Sequence, residues 1–431
     1  MIVISRSQLE YIAPSSEAVI SGVKHISSYN WIDAPTPTIV VPGAPARWNP
    51  PKGPQDLAAD SGDIYEAQYA ARKLDCPLEP LFRSVHAEHD AFDLNAVDVV
   101  TDRGNIRKLL SFITLEPKKK KYFEGFTIYV EVVQNTALFC RDEAVTAESG
   151  RDYGFWGHGC EFEKAYTVPR VAGSTAHHRV ISYQFGGLHF LVRHETDGYV
   201  EDTGDSCGSV ARAMQGLVLA PTTAPTRMAG STLSVARGGE VVPLCATLEI
   251  KTHTIRYMLT FSKLAARQLW ISQTPKLVRA CHDRGWFEEP QVEDVTAQIQ
   301  QWEADNQPIL KKLAWLMQRI VVLTKASPGG RVRIKCHVPG DKLVISPYDG
   351  PKLLPADLYA KWTAKAPSSR PTSPAAAKET AENAQQNTKR VNGTGIGQST
   401  AVTSMDPTAA HFHFGLPTPD AAKGGQDKTP N

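Results

Sequence analysis

The sequence predicts an α+β fold in which a mixed, mostly antiparallel central sheet is flanked by helices. Two runs in the middle of the chain, LHFLVRHETD and VVPLCATLEIK, are rich in Val, Leu and Phe and have strand character. Apolar residues at helical spacing over 292–304 and 308–324 predict helices beside this sheet. The strand-rich centre excludes an all-helical protein.

Composition divides the 431-residue chain into three parts. Proline recurs too often in residues 1–60 for a helix or an interior strand, which predicts an extended arm held by Trp31 and Trp48, or else a mobile leader. Residues 61–365 are expected to form the main folded domain. Residues 366–431 are poor in aromatic and branched aliphatic side chains, so burial cannot offset the entropy of ordering and a disordered tail is predicted.

Charge and cysteine usage restrict the compartment and the partners. The formal net charge is only +2, so contact with nucleic acid would need a local groove rather than a global basic field. The seven cysteines include no CxxC pair, which favours reduced thiols in a nuclear or cytoplasmic protein over a disulfide framework or a structural zinc site. No signal-peptide pattern and no apolar run of membrane-spanning length is present, so neither secretion nor membrane contact is expected.

A strand-to-helix junction is predicted near residue 102. Residues 97–100 predict a short strand, Asp102 is placed to cap the following helix, and Arg103 lies at the junction. Such a junction can present a cation to a phosphate, although a surface arginine is the commoner explanation. The basic run Lys118–Lys121 is interpreted as a solvated loop, with contact to a nucleic-acid backbone as the alternative.

Further elements follow in order. GFTIYVEVVQNTALFCRD alternates apolar and polar residues and predicts a hairpin. In GCEFE, Glu161 and Glu163 would share one side of an extended segment, and nothing local distinguishes them. Residues 179–197 predict two strands joined at a Gly-Gly turn. SKLAARQLWISQTP predicts a helix with Trp270 and Gln273 on one face.

Two acidic patterns end the central strands. Side chains two apart on a strand project to the same side, so Glu195 shares a face with Asp197, and Glu249 shares one with Lys251. If the strands are neighbours, three carboxylates and one ammonium converge. The carboxylates repel one another unless a divalent cation neutralises them, and oxygen ligands favour magnesium or manganese over zinc. Lys251 would then hold a phosphate oxygen or steer the attacking water, which suits metal-assisted phosphodiester hydrolysis.

The structural alternative is that these carboxylates are solvated strand ends. Pairs two apart recur by chance, as in EHD at 88–90 and EAD at 303–305. The second of these lies in a helical segment, where residues two apart do not face the same way. The two central pairs, each following an apolar strand, carry more weight together than either does alone.

These motifs, in this order, resemble those of the DXO family of decapping exoribonucleases, which use a divergent PD-(D/E)XK nuclease-like fold. The resemblance spans roughly residues 97–284 and rests on five segments, namely RGNIRKLL, GCEFE, ETD, EIK and LWISQT. Thr196 is less apolar than the usual middle residue of the third segment. The segments SSYNW and PGAP and the stretch FGGLHFLVRHETDG are similar to those of a filamentous-fungal group.

The resemblance implies a role for each matching residue. Glu195, Asp197 and Glu249 would bind two divalent cations, Mg²⁺ or Mn²⁺, with the Ile250 carbonyl as an additional ligand. Glu163 would bind one ion directly or through water. Lys251 and Gln273 would position the nucleophile and the scissile phosphate, and Arg103 would grip a backbone phosphate. These residues are the following: Arg103, Glu163, Glu195, Asp197, Glu249, Ile250, Lys251 and Gln273.

The implied activity is hydrolysis at the 5′ end of RNA, with removal of incomplete or noncanonical caps and an open option of 5′-to-3′ degradation. The implied partners are RNA 5′ ends and, in some relatives, a larger 5′-3′ exoribonuclease; a monomer is the favoured state. Two alternatives stay open. One is the same nuclease chemistry on DNA or another phosphodiester, because contacts to backbone phosphates carry little sequence or sugar identity. The other is a noncatalytic scaffold that binds RNA ends.

Overall fold

The computed structural model describes most of the chain up to residue 362. The described residues are 1–11, 17–60, 75–115, 125–142, 157–201, 222–255, 258–338 and 340–362. Contacts divide the chain into the units Met1–Ser368 and Ser369–Asn431, and every described residue belongs to the first. The predicted disordered tail, 366–431, and the basic run Lys118–Lys121 lie outside the described residues.

The strands form two sheets. In chain order they are β1 (Ile2–Ser5), β2 (Ser21–Ile32), β3 (Thr38–Gly43), β4 (Arg47–Trp48), β5 (Gln55–Asp56), β6 (Val99–Asp102), β7 (Phe126–Val133), β8 (Thr136–Arg141), β9 (Thr167–Val168), β10 (Ser174–Phe185), β11 (Leu188–Glu195), β12 (Gly198–Tyr199), β13 (Thr226–Arg227), β14 (Ser234–Gly239), β15 (Thr247–Thr254), β16 (Lys276–Asp283), β17 (Trp286–Phe287), β18 (Val292–Asp294), β19 (Arg331–Cys336) and β20 (Lys342–Pro347).

The larger sheet has twelve strands in the order β1-β20-β19-β7-β8-β6-β11-β10-β2-β3-β14-β13. The smaller sheet has the order β5-β17-β16-β15-β12-β4-β9, with β18 also paired to β16. Most pairs are antiparallel; the parallel ones are β6–β8, β6–β11, β3–β14, β4–β12 and β15–β16. The predicted mostly antiparallel α+β architecture is confirmed, although the strands divide between two sheets rather than one.

Helices cover these sheets. They are α1 (Glu79–Glu88), α2 (Arg103–Thr114), α3 (Gly159–Tyr166), α4 (Met258–Ser272), α5 (Thr296–Asp305), α6 (Gln307–Lys325) and α7 (Ala356–Tyr359). The largest core lies between one face of the larger sheet and α2, α4 and α6, where Leu109, Leu269 and Ile320 pack with Val192. A second core holds α1 against the opposite face, and a third holds α3 against the smaller sheet. Among the described residues, no helix is long and apolar enough to span a membrane.

The N-terminal segment differs from the predicted arm. Residues 1–60 contribute β1 to β5, and β2 is an interior strand between β10 and β3. The prolines at 35 and 37 lie in the connection between β2 and β3, so they interrupt neither strand. Trp31 is buried, and Trp48 stacks on Tyr166 with ring centroids 5.7 Å apart. Proline content is therefore a poor guide here, because the described prolines of this segment lie between strands, apart from Pro42 near the end of β3.

Two local features complete the scaffold. The predicted Gly-Gly turn joins β10 to β11, and Gly186 and Gly187 have positive φ angles of 56° and 74°, which glycine adopts without steric cost. Cys245 is disulfide-bonded, contrary to the prediction of reduced thiols. No spacing pattern in the sequence signals this bond. Five other cysteines are free, namely Cys76, Cys140, Cys160, Cys281 and Cys336.

Candidate functional site

The two acidic patterns meet where the chain passes from the larger sheet to the smaller one. Strand β11 ends at Glu195, and after two residues the chain enters β12, which pairs with β15 so that Gly198 lies opposite Leu248. This pairing places Asp197 beside Glu249, and an Asp197 carboxylate oxygen accepts a hydrogen bond of 2.7 Å from the Ile250 amide. Glu195 is solvent-exposed, whereas Asp197 is half-buried and Glu249 is buried. The structure therefore brings the predicted residues of both patterns together.

Two cations balance the buried Glu249 carboxylate. Its side chain is only 1% exposed; one oxygen lies 2.9 Å from a guanidinium nitrogen of Arg103, and the other lies 2.5 Å from the Lys251 ammonium. The same ammonium lies 3.6 Å from Asp197 and donates a 3.0 Å hydrogen bond to the Ile250 carbonyl. Arg103 reaches the site because α2 begins directly after β6, as the sequence predicted. Lys251 Nζ thus lies among the oxygen atoms predicted to bind metal.

The electrostatics separate the carboxylates into two kinds. Burial raises the pKa of Glu249, but Arg103 and Lys251 outweigh that effect and lower it to about 2. Burial and the nearby Glu249 charge raise the pKa of Asp197 to about 6. Burial alone would lower the pKa of Lys251, but the Glu249 and Asp197 charges outweigh this effect and raise its pKa above the usual value. Glu249 is therefore a paired carboxylate, whereas the partners of Asp197 do not offset its burial and the nearby Glu249 charge.

Glu163 lies on a helix, not on the extended segment considered from the sequence. The motif GCEFE forms the first turns of α3, so Glu161 and Glu163 point in different directions. Glu161 pairs with Lys164 at 2.7 Å. Glu163 lies at the rim of the site, where desolvation and the Asp197 and Glu195 charges raise its pKa well above the usual value. The helix resolves which of the two glutamates belongs to the site.

The start of this helix also depends on a residue that the sequence did not single out. Asp60 accepts a 3.0 Å hydrogen bond from the Glu161 amide, and its own amide donates to the Gly157 carbonyl. Because Asp60 is 101 positions away from Glu161, no local pattern announces this contact. The first turn of α3, and with it Glu163, is held by this long-range bond.

Gln273 lies just beyond its helix. Helix α4 ends at Ser272, and Gln273 adopts a positive φ of 53° typical of a residue that ends a helix. Its side-chain nitrogen donates a 2.5 Å hydrogen bond to the Trp270 carbonyl. The described geometry therefore gives Gln273 a capping contact and does not join it to the carboxylates.

Two more residues, Arg107 and His194, lie near Arg103 in the site. Arg107 lies one turn after Arg103 on α2 and is exposed; desolvation and the charges of Arg103 and Arg267 lower its pKa. His194, buried on β11, has its pKa lowered to about 3 by burial and by the nearby Arg103 and Arg179. The four-residue spacing of Arg103 and Arg107 on a predicted helix was the available sequence signal for the first of them.

The donor set fits a hard divalent cation in its chemistry. Carboxylate and carbonyl oxygens are the ligands such ions prefer, and two of the carboxylates have pKa values raised by burial and by their neighbours' charge. Over the described part of the chain, no three His, Cys, Asp or Glu side chains are placed to hold a metal ion as they stand. The Lys251 ammonium instead contacts Glu249, Asp197 and the Ile250 carbonyl. Metal binding would therefore displace this lysine.

The fold is shared with solved structures of low sequence identity. *Scheffersomyces stipitis* Rai1, in complex with (3′-NADP)⁺ and calcium ion, superposes with a TM-score of 0.57 at 14% identity, covering 85% of this chain and 100% of that one. *Schizosaccharomyces pombe* Rai1, in complex with 3′-FADP, has a TM-score of 0.55 at 13% identity, covering 80% and 99%. *Candida albicans* Rai1, in complex with pU5-Mn²⁺, has a TM-score of 0.54 at 12% identity, covering 84% and 100%.

Sequence comparison gives a family. No curated protein matches the chain. A family model described as "Domain of unknown function (DUF8563)" matches residues 2–344, which include every residue of the candidate site and all the strands except the end of β20. The chain is a member of the DUF8563 family.

Proposed function

We propose that this protein is a metal-dependent hydrolase of RNA 5′ ends, related to the DXO decapping exoribonucleases through a fungal branch. The observation that supports it is the cluster of Glu249, Asp197, Lys251 and Arg103, in which carboxylates and cations converge within 2.5 to 3.6 Å. The fold similarity to Rai1 structures bound to pU5 and Mn²⁺, and to 3′-FADP, favours RNA or nucleotide ends as the substrate class.

The proposed ligands are carboxylates and one carbonyl. Glu195, Asp197 and Glu249 would hold two Mg²⁺ or Mn²⁺ ions, with the Ile250 carbonyl exposed once Lys251 moves and Glu163 at the rim. When bound, the ions supply an activated water and neutralise charge on the phosphoryl group.

The chain's own cations have separate tasks in this proposal. Lys251, once displaced from Glu249, is within reach of a phosphate oxygen at the same site and would orient it. Arg103 holds Glu249 in place and, being 13% exposed, offers its remaining N–H groups to an RNA phosphate. Gln273 would act on the substrate only if it left its contact with Trp270. We further propose that the protein is nuclear or cytoplasmic, that it is a monomer and that it docks on a larger exoribonuclease.

The test compares defined 5′ ends with and without metal. Purified protein is incubated in Mn²⁺ with matched RNAs that carry a 5′-monophosphate, a 5′-triphosphate or a noncanonical cap, and with a DNA of the same sequence. The Glu249→Gln variant removes the charge that Arg103 and Lys251 balance. Its matched control is Glu293→Gln on β18, where the half-buried Glu293 pairs with Arg279 at 3.2 Å. We expect cleavage of RNA that requires metal and is lost only in Glu249→Gln. Cleavage of DNA alone, or RNA binding without cleavage by folded wild-type protein, would overturn the proposal.

A further inference from the structure

A second group of polar side chains is buried behind the candidate site. Strands β2, β10 and β11 carry five of them on the sheet face that packs against α2, α4 and α6, and Thr196 follows the end of β11. We call this group the buried basic patch, and it consists of His25, Ser28, His177, Arg179, His194 and Thr196. Arg179 lies directly opposite His194 on one neighbouring strand and opposite Ser28 on the other, so the three side chains share a face.

The patch is buried but incompletely satisfied. Arg179 is 0% exposed, and His177, His194 and Thr196 are 3–4% exposed. Within the described residues, each member keeps at least one polar atom without a hydrogen-bond partner: Arg179 Nε and Nη1, Ser28 Oγ, Thr196 Oγ1 and the Nε2 atom of each histidine. Buried polar groups are normally satisfied, and so many orphans on one face point to a ligand.

The hydrogen bonds within the patch determine which of the unpaired atoms are donors and which are acceptors. Arg179 can only donate, so its 3.1 Å contact leaves His25 Nδ1 as the acceptor and His25 Nε2 as a donor. His177 Nδ1 donates to the Asn30 side-chain oxygen at 2.9 Å, and His194 Nδ1 donates to the Glu195 carbonyl at 3.2 Å. In their neutral forms, these two histidines therefore turn acceptors toward the patch. Arg179, His25 and the two hydroxyls supply donors.

The charge of Arg179 distinguishes the classes of ligand. Burial lowers its pKa to about 10, so it is still charged at neutral pH, and Glu88 acts on it only from a distance. Buried charges are normally paired, and none of the described ion pairs includes this guanidinium. Water can satisfy N–H groups, whereas an anion satisfies them and also balances the charge. An anion is therefore the favoured ligand, and one that also carries a hydroxyl can donate to the two acceptor histidines.

We propose that the buried basic patch binds a phosphate-type oxyanion next to the candidate metal site. His194 links the two sites, because its neighbours include both Arg103 and Glu249. The oxyanion is either free inorganic phosphate or pyrophosphate, or the terminal phosphates of an RNA 5′ end held at the carboxylates. The second source rests on the proposed function; the first does not.

The first arm of the test uses inorganic anions without metal. Phosphate and pyrophosphate are titrated calorimetrically into the metal-free full-length protein, into Arg179→Met and into the control Arg284→Met. The Arg284 side chain is 92% exposed and lies in the turn between β16 and β17. We expect binding by wild type and Arg284→Met and at least about tenfold weaker binding by Arg179→Met, since a charge-assisted bond is lost. If Arg179→Met does not fold, the Ser28→Ala and Thr196→Val substitutions are combined as a milder test, with the same direction expected.

The second arm assigns the source of the anion. Binding of 5′-triphosphate and 5′-hydroxyl RNAs is compared in the Glu249→Gln background, with and without Arg179→Met, so that cleavage plays no part. A triphosphate preference that Arg179→Met abolishes assigns the patch to RNA ends. Anion binding that depends on Arg179 but not on the RNA end assigns it to a free anion. Either result supports an oxyanion site even if the protein cleaves no RNA; no anion binding by wild type, or unchanged binding by Arg179→Met, overturns it.

Discussion

Replacing Lys251 with methionine tests whether this lysine occupies the place of a metal ion. Its ammonium lies 2.5 Å from Glu249 and 3.0 Å from the Ile250 carbonyl. The pKa of Glu249 is about 2 instead of 4.5, a difference worth about 3 kcal/mol at neutral pH. Arg103 is the larger contributor and Lys251 the next, so Lys251→Met is expected to cost the metal-free protein about 1 kcal/mol.

The same substitution should have the opposite effect on metal binding. An ammonium that contacts the ligand oxygens competes with a cation, and its removal is expected to tighten Mn²⁺ binding by up to about tenfold. Cleavage should nevertheless fall by about a hundredfold or more, because the group that orients the phosphate is gone.

Calorimetry of Mn²⁺ binding, chemical denaturation without metal and a cleavage assay measure the three effects. Lys276→Met is the matched control, since Lys276 pairs with Asp294 at 2.9 Å on the same sheet, away from the carboxylates. Weaker Mn²⁺ binding by Lys251→Met would refute the argument, because it would mean that the lysine supports the ion instead of excluding it.

Three further outcomes are expected. The pKa of Asp197 is raised from 3.8 to about 6, so its contribution to stability falls as pH rises through that window. Asp197→Asn should therefore stabilise the metal-free protein by up to about 3 kcal/mol at pH 8 and by little at pH 4. Equal changes in the free energy of unfolding at both pH values, measured with denaturant, would contradict this. The buried Arg193 donates hydrogen bonds of 2.6 and 3.0 Å to the Asp102 carboxylate, and Asp102→Ala removes both. This substitution should lower the free energy of unfolding by about 3–5 kcal/mol, because it leaves a buried charge without its ion-pair partner. A melting curve unchanged from wild type would be inconsistent with that. Gln273→Ala removes the hydrogen bond to Trp270 and should lower the free energy of unfolding by about 1 kcal/mol. Cleavage per folded molecule should stay within about threefold of wild type. A larger loss of cleavage would mean that Gln273 acts in the site.

The sequence could predict the strands that carry the carboxylates but not how they meet. Alternation placed Glu195 and Asp197 on one face, which holds only within a continuous strand. In the structure β11 ends at Glu195, and Asp197 lies in the connection to β12, so one is exposed and the other half-buried. The contact with Glu249 depends on the two-residue strand Gly198–Tyr199, which is too short to leave a periodic signal.

The errors have a common physical origin. GCEFE lies in an eight-residue helix whose start is held by Asp60, and a short amphipathic segment fits either period until its long-range partner is known. The N-terminal prolines suggested an arm, but they fall outside β2, and the pairing of β2 with β10 buries it. In both cases, contacts with residues distant in sequence determine the secondary structure, which the local sequence pattern does not specify.

The charge balance of the site bears on how many ions it holds. The site contains four carboxylates and two cationic side chains, namely Glu163, Glu195, Asp197, Glu249, Arg103 and Lys251. An ion that displaces the Lys251 ammonium from the ligand oxygens leaves it beside them, so its charge still counts. Two negative charges remain uncompensated when all the carboxylates are ionised, and one divalent cation neutralises them. A second ion would make the site positive by two, which is costly alone but favourable once an anionic phosphate is present. We therefore expect Mn²⁺ titration of the free protein to show one tight site, with a second that tightens only when a 5′-monophosphate oligonucleotide is added. Two equally tight ions in the free protein would mean that Arg103, or the displaced Lys251, moves too far from the carboxylates to balance their charge before the substrate arrives.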